Sequence, residues 1–415
     1  MAVTFPYRTV KDVDVRGKRI LLRADYNVPL RDDGSIADDY RLVASLPTLR
    51  YLLERGAGIV IIAHLGRPKS AQDTKYSLAP VAKRLAKLLD HPVRFIGETV
   101  GDRVAQLTRS MKPGDIVMLE NLRFQTAEKE NDAKFAQQLA KQSRAELFVQ
   151  DGFGVVHRSH ASTVAITQCL PAVAGLLVEQ EYLAIKRATD EPNRPLTAIL
   201  GGAKIHDKMP LARKFIQIAD NVVIGGALAN NFIKYDGYDI GDSLVDEAAD
   251  QLVRQILADA QHRYGDKLAD HLILPSDVAV SKSGELKGER VECGPDAVRA
   301  PAKIYDIGEQ TIRLVERVVA SSGTVIWNGT LGMAETVNFS RGSARLALTL
   351  AKNPQIVSVI GGGDTANFVR GWDALKGGSF SHVSTGGGAS LALMAGEDLP
   401  GISALMCTDS HTYWN

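Results

Sequence analysis

The stretch Thr197-Ala198-Ile199-Leu200-Gly201-Gly202-Ala203-Lys204-Ile205-His206-Asp207-Lys208 decides the fold. A charge-free apolar run that leads into Gly-Gly reads as a buried strand followed by a turn with unusual backbone freedom. Two lysines then stand four residues apart. A helix begun near Ala203 would set Lys204 beside its free N–H groups and Lys208 one turn further along the same side. That arrangement suits phosphate. A plain strand-to-helix turn with solvated lysines is the other reading of this stretch alone.

The same rhythm runs through the second half of the chain. Strand-like runs at Thr197 to Leu200, Asn221 to Ile224, Leu272 to Leu274, Thr324 to Trp327, Ile356 to Ile360 and His382 to Ser384 alternate with helical patterns. They are followed in turn by Gly201-Gly202, Gly225-Gly226, Pro275-Ser276-Asp277, Asn328-Gly329, Gly361-Gly362-Gly363-Asp364 and Gly386-Gly387-Gly388. Glycine totals 37 of 415 residues, about 9% where ~7% is usual, and much of the excess falls at strand ends. Backbone that must approach something closely needs glycine, and nucleotide phosphates on helix N-termini are the leading candidate.

Working outward, the first half is also a βα series. Arg19 to Leu22, Gly58 to Ala63, Val93 to Ile96, Asp115 to Leu119 and Leu147 to Val149 are strand-like, with helical spacing near 40 to 55, 77 to 90 and 130 to 145. Such a series implies doubly wound, mostly parallel sheets with helices on both faces. Here the strand ends carry cations: Arg23-Ala24-Asp25-Tyr26-Asn27, His64-Leu65-Gly66-Arg67-Pro68, Glu120-Asn121-Leu122-Arg123-Phe124, and Asp151 to Gly154 followed by His157-Arg158-Ser159-His160. In open α/β sheets ligands sit outside the carboxyl ends of the strands, so these turns converge on one rim. Clustered cations repel unless an anion or carboxylates neutralise them, and arginine forks match phosphate or carboxylate. A small, multiply anionic ligand follows.

At this length two domains are the natural prior. The pattern changes between Pro171 and Pro195, where a charged amphipathic helix from Glu179 to Asp190 ends in Glu191-Pro192-Asn193-Arg194-Pro195. We place one lobe at 1–175, a connector helix and hinge at 176–195, and the second lobe at 196–399. Lys+Arg number 49 against 48 Asp+Glu, a net charge of +1, which gives no global case for nucleic acid or an anionic membrane. Cys169, Cys293 and Cys407 form no paired motif, so neither a disulfide framework nor structural zinc is expected. The N-terminus lacks a basic segment followed by an apolar one, and no run approaches ~18 apolar residues, so a cytoplasmic protein is expected.

Known nucleotide fingerprints fit poorly. No Gly-x-x-x-x-Gly-Lys-Ser/Thr occurs. Gly361, Gly363 and Ala366 match a loose dinucleotide pattern, but Val383-Ser384-Thr385 stands where its acidic residue belongs. Asp364 reads as a carboxylate for Mg²⁺ beside phosphate oxygens or, alternatively, as a helix N-cap.

Taken together, Arg23 to Leu30, His64 to Pro68, Glu120 to Phe124, Asp151 to Gly154, Leu200 to Lys208, Trp327-Asn328-Gly329, Gly361 to Ala366 and Ser381 to Ser390 resemble the phosphoglycerate kinase family in order and spacing, from about Lys18 to Ala404. The resemblance implies a two-lobed fold with triose phosphate on the N-terminal lobe and magnesium-nucleotide on the C-terminal lobe. It also implies that residues 400–415 pack back on the first lobe. Asp25 and Asn27 would meet the glycerate hydroxyl and nearby oxygens. Arg67, Arg123 and Arg158 would hold the non-transferred phosphate in a basic patch with Arg41 and His64, Arg41 facing the reacting carboxyl. Lys204 would meet the transferring phosphoryl group and Lys208 the nucleotide phosphates, with Thr365 on the same phosphates and Asp364 on Mg²⁺. Gly202, Ala203, Gly225, Gly226, Asn328, Glu335 and Gly363 would line the nucleotide site, and Gly387 would present its turn to the point of transfer.

The reaction implied is reversible phosphoryl transfer between ATP and 3-phosphoglycerate, in line and with domain closure, by a monomer acting on small molecules. Thr330, Gly152, Asn367 and Met333-Ala334 depart from the family pattern, and Thr330 and Met333-Ala334 flank the adenosine side. Two other readings are an oxidoreductase using a dinucleotide, disfavoured by the missing acidic residue and the basic rim, and a non-catalytic nucleotide-binding protein that kept the fold.

Overall fold

The computed structural model describes residues 2–203 and 205–408 of the chain. Two compact units emerge, one made of Thr4–Leu183 with the segment from Asp398, the other of Ala184–Glu397 with the first residues.

The first unit is built on six parallel strands: β1 (Arg19–Arg23), β2 (Gly58–Ile62), β3 (Val93–Ile96), β4 (Ile116–Leu119), β5 (Leu147–Gln150) and β6 (Ala172–Ala174). Their order is β3-β4-β2-β1-β5-β6. Every residue of β2, β4 and β5 is buried, which is why these strands are continuous apolar runs rather than alternating ones. Ile20, Leu22, Ile59, Ile61, Met118 and Val149 share one core, and each such side chain contributes roughly 1.5–3 kcal/mol on burial. Strand order reverses between β1 and β5, so a crevice opens beyond their carboxyl ends. Beside it, the Gly401 N–H donates to the Val156 carbonyl at 2.8 Å, and a Cβ on Gly401 would press on Val156 backbone at 2.9 Å.

A helix over Leu176–Asp190 contains the division between the units. Its first turn is fastened inside the first unit: Leu176 N–H donates to Thr48 Oγ1 at 3.1 Å and Leu177 N–H to Asp151 Oδ1 at 3.0 Å. The helix therefore begins three residues before Glu179, where the charged pattern starts.

The second unit has six parallel strands, β7 (Leu196–Leu200), β8 (Asn221–Ile224), β9 (Leu272–Ile273), β13 (Thr324–Asn328), β14 (Val357–Gly361) and β15 (His382–Val383), in the order β15-β14-β13-β7-β8-β9. Chain direction across the sheet switches between β7 and β13, beside the Gly201-Gly202 turn. Ile199, Val325, Trp327 and Ile360 fill its core. A small antiparallel sheet, β10 (Val278–Ser281), β11 (Arg290–Cys293) and β12 (Lys303–Ile307), is an addition to the expected architecture, with its own cluster around Val278, Val280 and Ile304. Cys169 and Cys293 are free thiols. Among the described residues no helix is long and apolar enough to cross a membrane.

Candidate active site

In the first unit the crevice between β1 and β5 gathers the cations. Arg41 Nη1 donates to Asp25 Oδ2 at 2.7 Å and to the Asn27 carbonyl at 3.2 Å. Asp25 Oδ1 in turn accepts the Asn27 N–H at 3.2 Å, and Asn27 Oδ1 accepts the Gly66 N–H at 2.7 Å. Arg123 Nη1 closes the set on the Gly66 carbonyl at 2.5 Å. Five residues from three strand ends and one helix thus form a continuous network. Its rigidity comes from backbone groups, since Asn121 Oδ1 also fixes the Arg123 and Leu65 N–H groups at 3.0 and 3.2 Å.

His64 and Arg23 lie beneath this surface, 3% and 1% exposed. Burial pushes the His64 imidazolium well below its ordinary range, and Arg23, Arg123, Arg41 and Arg158 push the same way. Arg123 is brought down to about 10 by burial and by Arg158 and Arg23. These shifts share one cause: positive potential concentrated in a low-dielectric crevice. Arg158 Nε donates to His157 Nε2 at 3.1 Å, and burial with Arg158 lowers His157 to about 4. His157 Nδ1 is buried with no partner among the described residues. Arg67 is exposed on its turn and makes no hydrogen bond to the network.

Sequence reasoning missed the buried layer. Arg23 Nε donates to Ser162 Oγ at 2.8 Å, and Ser162 is held by Glu128, a helix residue only 1% exposed. Arg23 closing a buried strand was the one available signal. Glu128 in a short charged run looks like any surface acid.

In the second unit the turns after β7, β8 and β13 lock against one another. Gly201 and Gly202 N–H groups donate to the Asn328 and Thr330 carbonyls, both at 3.0 Å, and Gly226 N–H to the Leu331 carbonyl at 2.9 Å. A Cβ on Gly201 would lie 2.1 Å from the Thr330 carbonyl oxygen, and one on Gly226, whose φ is +60°, 2.7 Å from Gly202 N. These glycines are required by the close approach of loop to loop. Gly363 and Gly387 differ, because nothing lies within 4 Å of a Cβ on either. The glycine excess thus has two origins, internal packing and open turns.

The helix after the first turn runs over Ile205–Ile218, and Lys204 lies outside the described residues. Lys208 Nζ reaches back to the Asn328 side-chain and main-chain oxygens. Asn328 is wholly buried and its Nδ2 has no partner among the described residues. Thr365, 1% exposed, accepts the Gly329 N–H at 2.7 Å, so its hydroxyl secures the β13 turn. Asp364 stands exposed in the first turn of the helix Gly363–Trp372, where the capping position belongs to Gly362. It is not the N-cap. Glu335 is exposed and makes no hydrogen bond to this cluster, and Ala203 is exposed at the turn.

A cationic rim on one doubly wound unit and a glycine rim at the switch point of another define the class: an α/β phosphotransferase that acts on small anionic molecules. The phosphoglycerate kinase family model matches residues 10–397, and the chain belongs to that family. It is 42% identical over 400 residues to the phosphoglycerate kinase of Pelotomaculum thermopropionicum, covering 96% of this chain and 99% of that protein. The same enzyme from Borrelia hermsii is also 42% identical, over 96% of this chain and 99% of its own. Among solved structures, phosphoglycerate kinase from Coxiella burnetii superposes with a TM-score of 0.82 at 34% identity, covering 97% of this chain and 99% of that one. The Pyrococcus horikoshii structure gives 0.80 at 31%, with the same coverage.

Proposed function

We propose that the chain catalyses reversible transfer of the ATP γ-phosphoryl group to the carboxylate of 3-phosphoglycerate, giving ADP and 1,3-bisphosphoglycerate. The observation that carries this reading is the Arg41–Asp25–Asn27–Gly66–Arg123 network at the switch point of the first sheet. A carboxylate is deprotonated at neutral pH and needs no general base, only neutralised repulsion and alignment. The network supplies cations, and its one carboxylate, Asp25, is already committed to Arg41.

In this reading Asp25 and Asn27 orient the glycerate, Arg67, Arg123 and Arg158 hold its phosphate with His64, and Arg41 faces the carboxyl group. Lys208, the Gly202-Ala203 turn and the N–H groups of Gly363 and Thr365 bind nucleotide phosphates, with Gly225, Gly226, Asn328 and Glu335 around the nucleoside; the Gly202 N–H itself is taken by the Thr330 carbonyl. Lys204 and the Gly387 turn serve the moving phosphoryl group. Mg²⁺ fits the donor set: Asp364 is an exposed hard oxygen ligand beside the open Gly363 turn, and among the described residues no group of three or more His, Cys, Asp or Glu could hold a metal by itself. A cation that takes one or two carboxylates and completes its shell with phosphate and water matches that, and when bound it neutralises the β- and γ-oxygens. Acceptor and donor residues belong to separate units, so domain closure is part of the proposal as the step that aligns them. A cytoplasmic monomer completes it, which sedimentation of the purified chain would check.

A coupled assay tests the reading. ATP consumption should require both 3-phosphoglycerate and Mg²⁺, and no turnover with all three present would sink it.

A further inference from the structure

The buried layer under the cationic rim has a direction that its chemistry dictates. Glu128 accepts twice from Ser162, from the N–H at 3.0 Å and from the hydroxyl at 2.6 Å. With its proton given to Glu128, Ser162 Oγ accepts Arg23 Nε–H at 2.8 Å. Arg23 Nη1 also meets the Ala24 carbonyl, and Nη2 lies 3.1 Å from His64 Nδ1. A guanidinium only donates and a carboxylate only accepts, so each bond in this chain has one possible sense. His64 Nδ1 must accept.

We propose that Glu128, Ser162 and Arg23 are positioning residues that hold His64 neutral with its proton on Nε2, so that the ring gives the acceptor substrate an N–H donor and not a charge. This rests on the phosphotransferase reading above. All four members are buried, His64 the most exposed at 3%, which shields the chain from competing water. Other groups facing the ring agree. Arg23 at the end of β1, Arg41 from the following helix, Arg123 after β4 and Arg158 after β5 all disfavour a second proton on it. Asp25, the nearby carboxylate that could favour one, is paired with Arg41. Glu128 stays charged because His160, Arg23 and Ser162 outweigh the effect of its burial, His160 Nδ1 lying 3.7 Å from Oε1. A neutral donor has a use in this crevice: it binds anion oxygen without adding to the repulsion among four arginines.

The test is the long-range proton–nitrogen spectrum of the His64 ring in the full chain without substrate. The wild type should show the Nε2–H form, unchanged from pH 5 to 8. In Ser162→Ala, and in Arg23→Lys, which keeps the charge but cannot span the same atoms, the ring should become a tautomer mixture. KM for 3-phosphoglycerate should then rise roughly tenfold, with kcat less affected. A wild-type ring protonated on Nδ1, one that titrates near its ordinary pKa, or variant rings identical to the wild type would overturn the proposal. Because the ring is read without substrate, a wild-type chain lacking turnover would count against the proposed function, while the spectrum alone decides this one.

Discussion

Arg41 Nη1 stands 2.7 Å from Asp25 Oδ2, with the Asp25 side chain 5% exposed and that of Arg41 26%. The carboxylate is buried and the guanidinium partly exposed, and the pair holds Arg41 Nη1 toward the Asn27 carbonyl. Replacing Asp25 by Asn keeps the shape and removes the charge that aims Arg41. KM for 3-phosphoglycerate should rise about tenfold or more in initial-rate measurements, the size expected for losing a hydrogen bond to a charged group. An unchanged KM would show that Arg41 needs no such aim.

Asp364 provides a second prediction. Asp364→Asn should raise the Mg²⁺ concentration for half-maximal rate by roughly tenfold, as loss of one hard ligand does, and leave KM for 3-phosphoglycerate nearly unaltered. Equal metal requirements in variant and wild type would place the metal elsewhere.

The two kinds of glycine separate in folding. Gly226→Ala sets a methyl group 2.7 Å from Gly202 N and the Thr330 carbonyl oxygen at a φ of +60°. It should destabilise the second unit by about 1–3 kcal/mol in urea unfolding. Gly363→Ala meets nothing within 4 Å and lies within a helix, so its stability should match or exceed the wild type. If Gly226→Ala were as stable as Gly363→Ala, loop packing would not be the reason for Gly226.

These positions also show what sequence can and cannot disclose. Buried parallel strands such as β2 and β13 announce themselves as apolar runs because both faces are covered. β6, only Ala172–Ala174, has too little side chain to stand out, and β10 to β12 are short strands carrying Ser281, Arg290, Glu292 and Asp306. Strand-end cations were legible as a group because the fold rule places them on one rim. The Glu128–Ser162–Arg23 layer was not, since its contacts join residues 34 and 139 positions apart. Nor could composition tell that Gly201 packs on Gly329 and Gly226 on Gly202 while Gly387 stays open.

Asp151 yields a pH prediction. It is fully buried, accepts from Thr48 Oγ1 at 2.9 Å and from the Leu177 N–H, and leaves Oδ2 without a partner among the described residues. Burial raises its pKa to about 7, outweighing those hydrogen bonds. An unfolded aspartate titrates near ~3.9, so the folded chain holds the extra proton between those values. The resulting stability is complete below ~4 and is lost as pH rises through the folded value, at up to about 1.4 kcal/mol per pH unit. Asp151→Asn cannot titrate and keeps an acceptor for Leu177. Its stability relative to the wild type, from urea unfolding of the first unit, should therefore increase from pH 5 to 8, and a constant difference would contradict the assignment.

The central claim is that the phosphoryl group goes to a carboxyl oxygen. An acyl phosphate reacts with hydroxylamine to give a hydroxamate, so the direct measurement incubates the chain with ATP, Mg²⁺, 3-phosphoglycerate and hydroxylamine and counts ADP against hydroxamate. We expect one hydroxamate for each ADP and neither without 3-phosphoglycerate. ADP formed in the presence of 3-phosphoglycerate with no hydroxamate beside it would contradict it.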